Sequence, residues 1–270
     1  MSPLHLVVQK EITRSADIAA AAEALGISLS TIDLQDWRDQ VSRIDGVIAD
    51  QGERPLVFCS LPVAGHILRA CPTLARGVVL PKDFLRHSHY SSLVPENIQL
   101  NTGGIYLPWG RILDRAAPLS ELYPEGVFIR PDSSLKPFTG FAVTIDALRD
   151  EHHMMTQAAG ISDTELCLIA PAQALPAAEY RVWIVDSQPV TSASYGWDDN
   201  AENHEVPEAV IEAARRVGTL LEMSEQIFTA DFVEMPSGVK LVELNAVSTS
   251  GWYKGMDPTA LISALDPMFI

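Results

Sequence analysis

Short runs in which apolar and polar residues alternate are spread along the chain, and each predicts a strand. The first, "LHLVVQ" (4–9), leads into "SADIAAAAEALG" (15–26), an Ala-rich helical stretch with a Ser start and a Gly stop. Further alternation in "PLVFCSLP" (55–62), "GHILRACP" (65–72) and "RGVVLP" (76–81) predicts a small α/β lobe with a mainly parallel sheet. From about residue 82 to 125 Gly and Pro punctuate the chain, as in "NTGGIYLPWGR" (101–111), and a lobe boundary is expected there. The second half reads as strands around one helix. "GVFIRPDSSLKPFTGFAV" (126–143) holds two strand-like runs, "TELCLIAP" (164–171) another, and 178–197 a hairpin turning at 186–189. Apolar residues at 210, 213, 214, 217, 220 and 221 form one stripe, which predicts a core-facing helix over 207–223.

The last hairpin is acidic where a core strand would be apolar. "FTADFVEM" (228–235) and a second run over 240–247 are separated by Pro236, Ser237 and Gly238. Side chains alternate along a strand, so Glu243 and Asn245 point one way while Val242 and Leu244 point the other. A turn centred on Ser237 would set Asp231 opposite Glu243, placing Asp231, Glu243 and Asn245 on one face. Two carboxylates that face each other either share a proton or hold a cation. Mg²⁺ takes oxygen ligands from one or two carboxylates and completes its shell with water and phosphate, so the trio is a candidate metal-nucleotide set. The alternative is an exposed hairpin whose acidic face meets water.

Composition narrows the partners. The formal charge of −16 disfavours nucleic acid and anionic membrane surfaces, and no apolar run approaches a membrane span. The expectation is a soluble, cytoplasmic protein. Cys59, Cys71 and Cys167 are scattered through apolar surroundings and read as reduced core thiols. The histidines of "HSHY" (87–90) and "HH" (152–153) read as surface or capping residues in preference to metal ligands. No Gly-x-Gly-x-x-Gly or Walker-type loop follows any strand.

Five segments in order, "FIRPDSSLKPFTG", "CLIAP", "EYRVWIV", "ADFVE" and "LVELNAVSTSGWY", resemble the ATP-grasp superfamily, and in particular a phage and bacterial branch of it. The resemblance implies a small N-terminal α/β lobe over 1–115. An ATP-grasp domain would follow over 116–270, its two α+β lobes closing on Mg-ATP with a hinge near 169–178. It implies Arg130 and Lys136 on the ATP phosphates, Ile169 and Ala170 at the adenine, and Glu179 near the ribose. Arg181 would meet phosphate or the reacting carboxylate, and Asp231, Glu243 and Asn245 would hold one or two Mg²⁺. Ser248, Thr249, Ser250 and Tyr253 would lie beside the acceptor substrate. Ordinary turn chemistry also explains the Ser/Thr run, and a cross-strand ion pair also explains Glu179.

The activity implied is an ATP-dependent carboxylate-amine ligase that forms an amide through an acyl phosphate, on a small-molecule or peptide carboxylate and an amine. A small-molecule kinase and a non-catalytic nucleotide-binding module are the alternatives. Relatives are often dimers, which leaves a homodimer open.

Overall fold

The computed structural model describes residues 2–176, 178–196, 205–222 and 225–269. In chain order its main elements begin with β1 (Leu4–Gln9), α1 (Ser15–Leu25), β2 (Ser28–Ile32), α2 (Trp37–Gln51), β3 (Arg54–Phe58), α3 (Leu61–Ala70) and α4 (Pro72–Ala75). Next come α5 (His87–Tyr90), β4 (Ile105–Pro108), α6 (Ala116–Leu122), β5 (Val127–Pro131), β6 (Phe141–Val143), α7 (Leu148–Ala159) and β7 (Leu166–Pro171). The chain ends through β8 (Ala178–Val185), β9 (Gln188–Gly196), α8 (Glu208–Leu221), β10 (Ile227–Met235), β11 (Gly238–Asn245) and α9 (Pro258–Leu265). Two compact units result: residues 1–81, 177–233 and 244–270 form one, and residues 82–176 and 234–243 the other.

The first unit contains a parallel sheet of order β2-β1-β3. β1 is its centre, and all six of its residues are buried, as a strand covered on both faces must be. One face packs Val7, Ile32 and Val57 against Val41 and Ile48 of α2 and Ile67 of α3. The other joins Leu6, Val8 and Phe58 to Trp183, Trp252, Leu261 and Leu265. The stretch 65–72, expected to continue the strand alternation, lies mostly in helix α3 instead. Val63, Ala64 and Ile67 are its buried residues, a spacing that fits a helix, and a proline stands in its first turn. Residues 76–81 form no strand either; Gly77 O accepts from Val57 N at 3.0 Å in an irregular extension.

The antiparallel sheet has the order β11-β10-β8-β9. Its β8–β9 turn is two residues, Asp186 and Ser187, with φ of 50° and 63°, tighter than the expected turn over 186–189. The β10–β11 loop is likewise only Pro236 and Ser237, because Gly238 already opens β11. Helix α8 buries Val210, Ala214, Val217 and Leu221, most of the expected stripe, and Leu220 stays exposed. The expected helix end at 223 and hairpin end at 197 lie outside the described residues.

The second unit is built on a fully antiparallel sheet of order β4-β7-β5-β6. Its core joins Ile129, Cys167 and Ile169 to Trp109, Phe138 and Leu148. All three cysteines are buried and free, and burial pushes the Cys59 and Cys167 thiols up to about 12. Among the described residues no helix is long and apolar enough to cross a membrane.

One glycine is dictated by packing. A Cβ on Gly218 of α8 would sit 2.4 Å from the carbonyl oxygen of Ser187, in the β8–β9 turn. Gly218→Ala is therefore expected to lower stability by about 1–3 kcal/mol in urea denaturation, despite the better helix propensity of alanine.

Candidate active site

In the first unit the site is organised by an ion pair. β10 pairs antiparallel with β8, and the register sets Asp231 opposite Arg181. The guanidinium binds the carboxylate in a fork, Nε to Oδ1 and Nη2 to Oδ2, both at 2.7 Å. Asn245 Nδ2 donates to Oδ2 at 2.8 Å, so three donors meet the two oxygens of an acid that is fully buried. Burial alone would lower the pKa of Arg181, but the carboxylate at bonding distance more than offsets it and holds that pKa well above its usual value.

Two tyrosines complete the enclosure. The rings of Tyr195 and Tyr253 stack with centroids 4.4 Å apart and planes 6° apart, and the Arg181 guanidinium lies 5.2 Å from each. Arg181 Nη1 also donates to Gly251 O at 3.3 Å. Tyr195 is the register partner of Glu179 and donates its hydroxyl to that carboxylate at 2.8 Å.

In the second unit Glu243 lies between two cations, 2.6 Å from Lys136 Nζ and 3.2 Å from Arg130 Nη2. Lys136 ends the turn "DSSLK", donating its backbone N–H to Ser133 O at 3.2 Å, and adopts φ 43°. A left-handed conformation at a non-glycine residue costs on the order of 1 kcal/mol and recurs at ligand clamps. Arg130 is buried, and its Nη1 lies 3.4 Å from Tyr90 Oη and from Val242 O.

The adjoining residues form a network that the sequence did not reveal. Asp132, fully buried, accepts from Arg86 Nε, from Ser88 N and from Ser88 Oγ at 2.7–2.9 Å. His87, expected at the surface, is instead buried and bonded through Nδ1 to Tyr106 Oη at 2.7 Å. Burial first, then the neighbouring Arg130 charge, lowers its pKa to about 3, so it stands neutral in the folded state. His152 stacks on Trp109 at 4.3 Å and lies 3.0 Å from its carbonyl oxygen through Nε2.

The other expected site residues lie in hydrogen-bonded parts of the two units. Ile169 and Ala170 are buried in the β7 ladder, Ile169 paired with both Ile105 and Ile129 and Ala170 with Phe128. Ser248 Oγ accepts from Val79 N at 2.8 Å, and Ser248 O from Cys59 N at 2.8 Å. Ser250 Oγ donates to Ala246 O at 2.7 Å. Thr249 and Tyr253 are half-buried.

Asp231, Glu243 and Asn245 supply only hard oxygen donors apart from one amide nitrogen, the chemistry Mg²⁺ selects. Among the described residues no three His, Cys, Asp or Glu side chains come together, which excludes a soft or imidazole-rich metal centre there. In the first unit Asp231 and Asn245 offer a carboxylate and an amide oxygen of the kind a hard cation takes, and in the second unit Glu243 offers a carboxylate.

A family model of the ATP-grasp domain, describing the third family of one ATP-grasp clade, matches residues 91–265, well over half of the chain. The chain belongs to the ATP-grasp superfamily. Solved structures agree on the fold: the D-cycloserine synthetase DcsG is 10% identical with a TM-score of 0.59, over 99% of this chain and 100% of that one. The N5-carboxyaminoimidazole synthase from Aspergillus clavatus, in complex with ADP and its ribonucleotide, is 10% identical with a TM-score of 0.58, over 98% of this chain and 76% of that one. The ATP-grasp ligase PsnB, complexed with a phosphomimetic variant of its minimal precursor, Mg and ADP, is 12% identical with a TM-score of 0.54, over 100% of this chain and 99% of that one. No curated protein matches the sequence. The ATP-grasp fold, a mixture of α/β and α+β parts, is thus the fold of this chain.

Truncating one member of the buried pair strands the other. Asp231→Ala is expected to cost about 3–5 kcal/mol in urea denaturation, while Arg181→Met with Asp231→Leu recovers most of the loss.

Proposed function

We propose that the protein is an ATP-dependent carboxylate-amine ligase, forming an amide through an acyl phosphate and releasing ADP and phosphate. The observation that carries this reading is Glu243 held between Lys136 and Arg130, which keeps two cations and a metal-type carboxylate at one spot in a chain of net charge −16. A triphosphate can replace Glu243 as the counter-ion of Lys136 and Arg130, freeing the carboxylate for a cation. Asp231 and Asn245, on the same hairpin, complete the proposed ligand set for one or two Mg²⁺. Bound there, Mg²⁺ would neutralise charge on the ATP phosphates. The family and the ATP-grasp ligases among its structural neighbours support the class of reaction.

The chain's own residues then divide the work. Arg181, fixed by Asp231 and the two tyrosines, presents a rigid guanidinium to the phosphoryl group or the reacting carboxylate, and so loses little entropy in binding it. Lys136 and Arg130 orient the phosphates, Ile169 and Ala170 lead to the adenine-binding segment, and Glu179 serves the ribose. Thr249 and Tyr253, with the serines beside them, line the acceptor side. We assign 1–115 to an N-terminal α/β domain and 116–270 to the ATP-grasp domain with a hinge near 169–178. The substrates are a small-molecule or peptide carboxylate and an amine.

Hydroxylamine traps acyl phosphates as hydroxamates, which separates this reading from its rivals. With a panel of amino acids, peptides and small carboxylates, Mg-ATP-dependent ADP release accompanied by hydroxamate is expected, falling about 10²-fold or more in Lys136→Ala. ADP release with a stable phosphorylated alcohol and no hydroxamate would make the protein a kinase, and no ADP release with any substrate would leave a nucleotide-binding module.

A further inference from the structure

A second cluster lies in the parallel sheet of the first unit. His5 on β1 sits with its Nδ1 2.6 Å from Glu53 Oε2 and its Nε2 2.8 Å from Ser30 Oγ. Ser28 Oγ donates to the other Glu53 oxygen at 3.2 Å. The register explains the gathering: His5 pairs with Ser28 on β2, Ser30 is two residues further along the same face, and Glu53 immediately precedes β3. The same face continues as Val7, Ile32 and Val57 in an apolar core. His5 is 6% exposed and the Glu53 side chain 11%. Apolar side chains would hold this sheet end at least as well as a buried polar chain does, so stability alone does not account for it.

Acid, imidazole and hydroxyl stand in the order and at the distances of an acyl-transfer triad, which is recognised by geometry and not by sequence position. Ser30 also lies on the wall of an open groove. Ser30 and Thr31 line a groove of about 430 Å³ with Gln40, Arg43, Ile44 and Val47 of α2. A backbone donor adjoins it. Ile32 O accepts from Lys10 N, so the backbone polar groups of Ile32, and by alternation those of Ser30, point toward β1. β2 is an edge strand, and the N–H of Thr31 therefore points to the open edge, one residue past the hydroxyl. The amide after the nucleophile is a common oxyanion donor.

We propose that Ser30, His5 and Glu53 form a second, hydrolytic site that cleaves small esters in the groove between β2 and α2. Ser30 Oγ bonds to the ester carbonyl carbon as its proton passes to His5 Nε2, and the carbonyl electron pair moves to the oxygen beside Thr31 N–H. Collapse breaks the ester C–O bond, and the leaving oxygen takes the proton from His5. Water, deprotonated by His5, then attacks the acyl-serine and releases the acid, returning the proton to Ser30. Glu53 is the positioning residue, accepting from Nδ1–H and stabilising the imidazolium. Arg43 on the groove wall favours an ester that carries an anionic group, and Ile44 and Val47 cover its apolar part.

A fluorophosphonate probe reacts with serines activated in this way and reports by intact mass and peptide mapping. The expected result is one adduct per chain on Ser30 of the wild type, none there in Ser30→Ala, and labelling slowed about 10²-fold or more in His5→Gln. A wild type with no adduct on Ser30 overturns the proposal without recourse to any variant, as does a His5→Gln protein labelled at the wild-type rate. The site shares no residue with the nucleotide machinery, so either reading stands or falls alone.

Discussion

A carboxylate with no exposure has to be matched at both oxygens, and Asp231 is such a carboxylate. Matching it fixes much of the first unit. The register of β10 against β8 delivers Arg181, the end of β11 delivers Asn245, and the segment after β11 brings Gly251 and Tyr253 to the same guanidinium. Tyr195 closes the other side from β9 and carries Glu179 with it. Four strands and a loop converge on one charge pair, so a change in any of them is felt at the arginine.

The second unit repeats the logic with looser terms. Glu243 is partly exposed and shares two cations, one of them the half-exposed Lys136 in a left-handed turn. A buried forked pair is rigid, whereas a partly solvated carboxylate between two cations can exchange partners at modest cost. That contrast suits the division of labour proposed for them. Arg181 is held for positioning, while Lys136, Arg130 and Glu243 are poised to trade one another for phosphate and cation.

Alternation of side chains made the strands of the second half legible in the sequence. Period-two patterns carried less where helices are short: Val63, Ala64 and Ile67 sit in a helix whose sequence also passes for an alternating strand. The Arg181–Asp231 pair was invisible as a pair because its partners lie fifty residues apart and meet only once β8 and β10 are neighbours. Asp231 and Glu243 were expected to face each other, but the geometry ties Asp231 to Asn245 and Arg181, and Glu243 to Lys136 and Arg130. His87 read as a surface or capping residue because polarity alone does not register a tyrosine partner that the fold brings from β4. Tyr195 had a signal, its place opposite Glu179, but reading it required both the two-residue turn at Asp186 and Ser187 and the one-residue register shift between Trp183 and Ile184.

The acidic hairpin as the metal-nucleotide site is the centre of this account, and calorimetric titration of ATP, with and without Mg²⁺, addresses it most directly when repeated on Glu243→Gln. The account predicts wild-type binding in the micromolar range that requires Mg²⁺ and weakens about tenfold or more in the variant. Wild-type protein that binds no ATP under any metal condition, or a variant that binds as the wild type does, would contradict it.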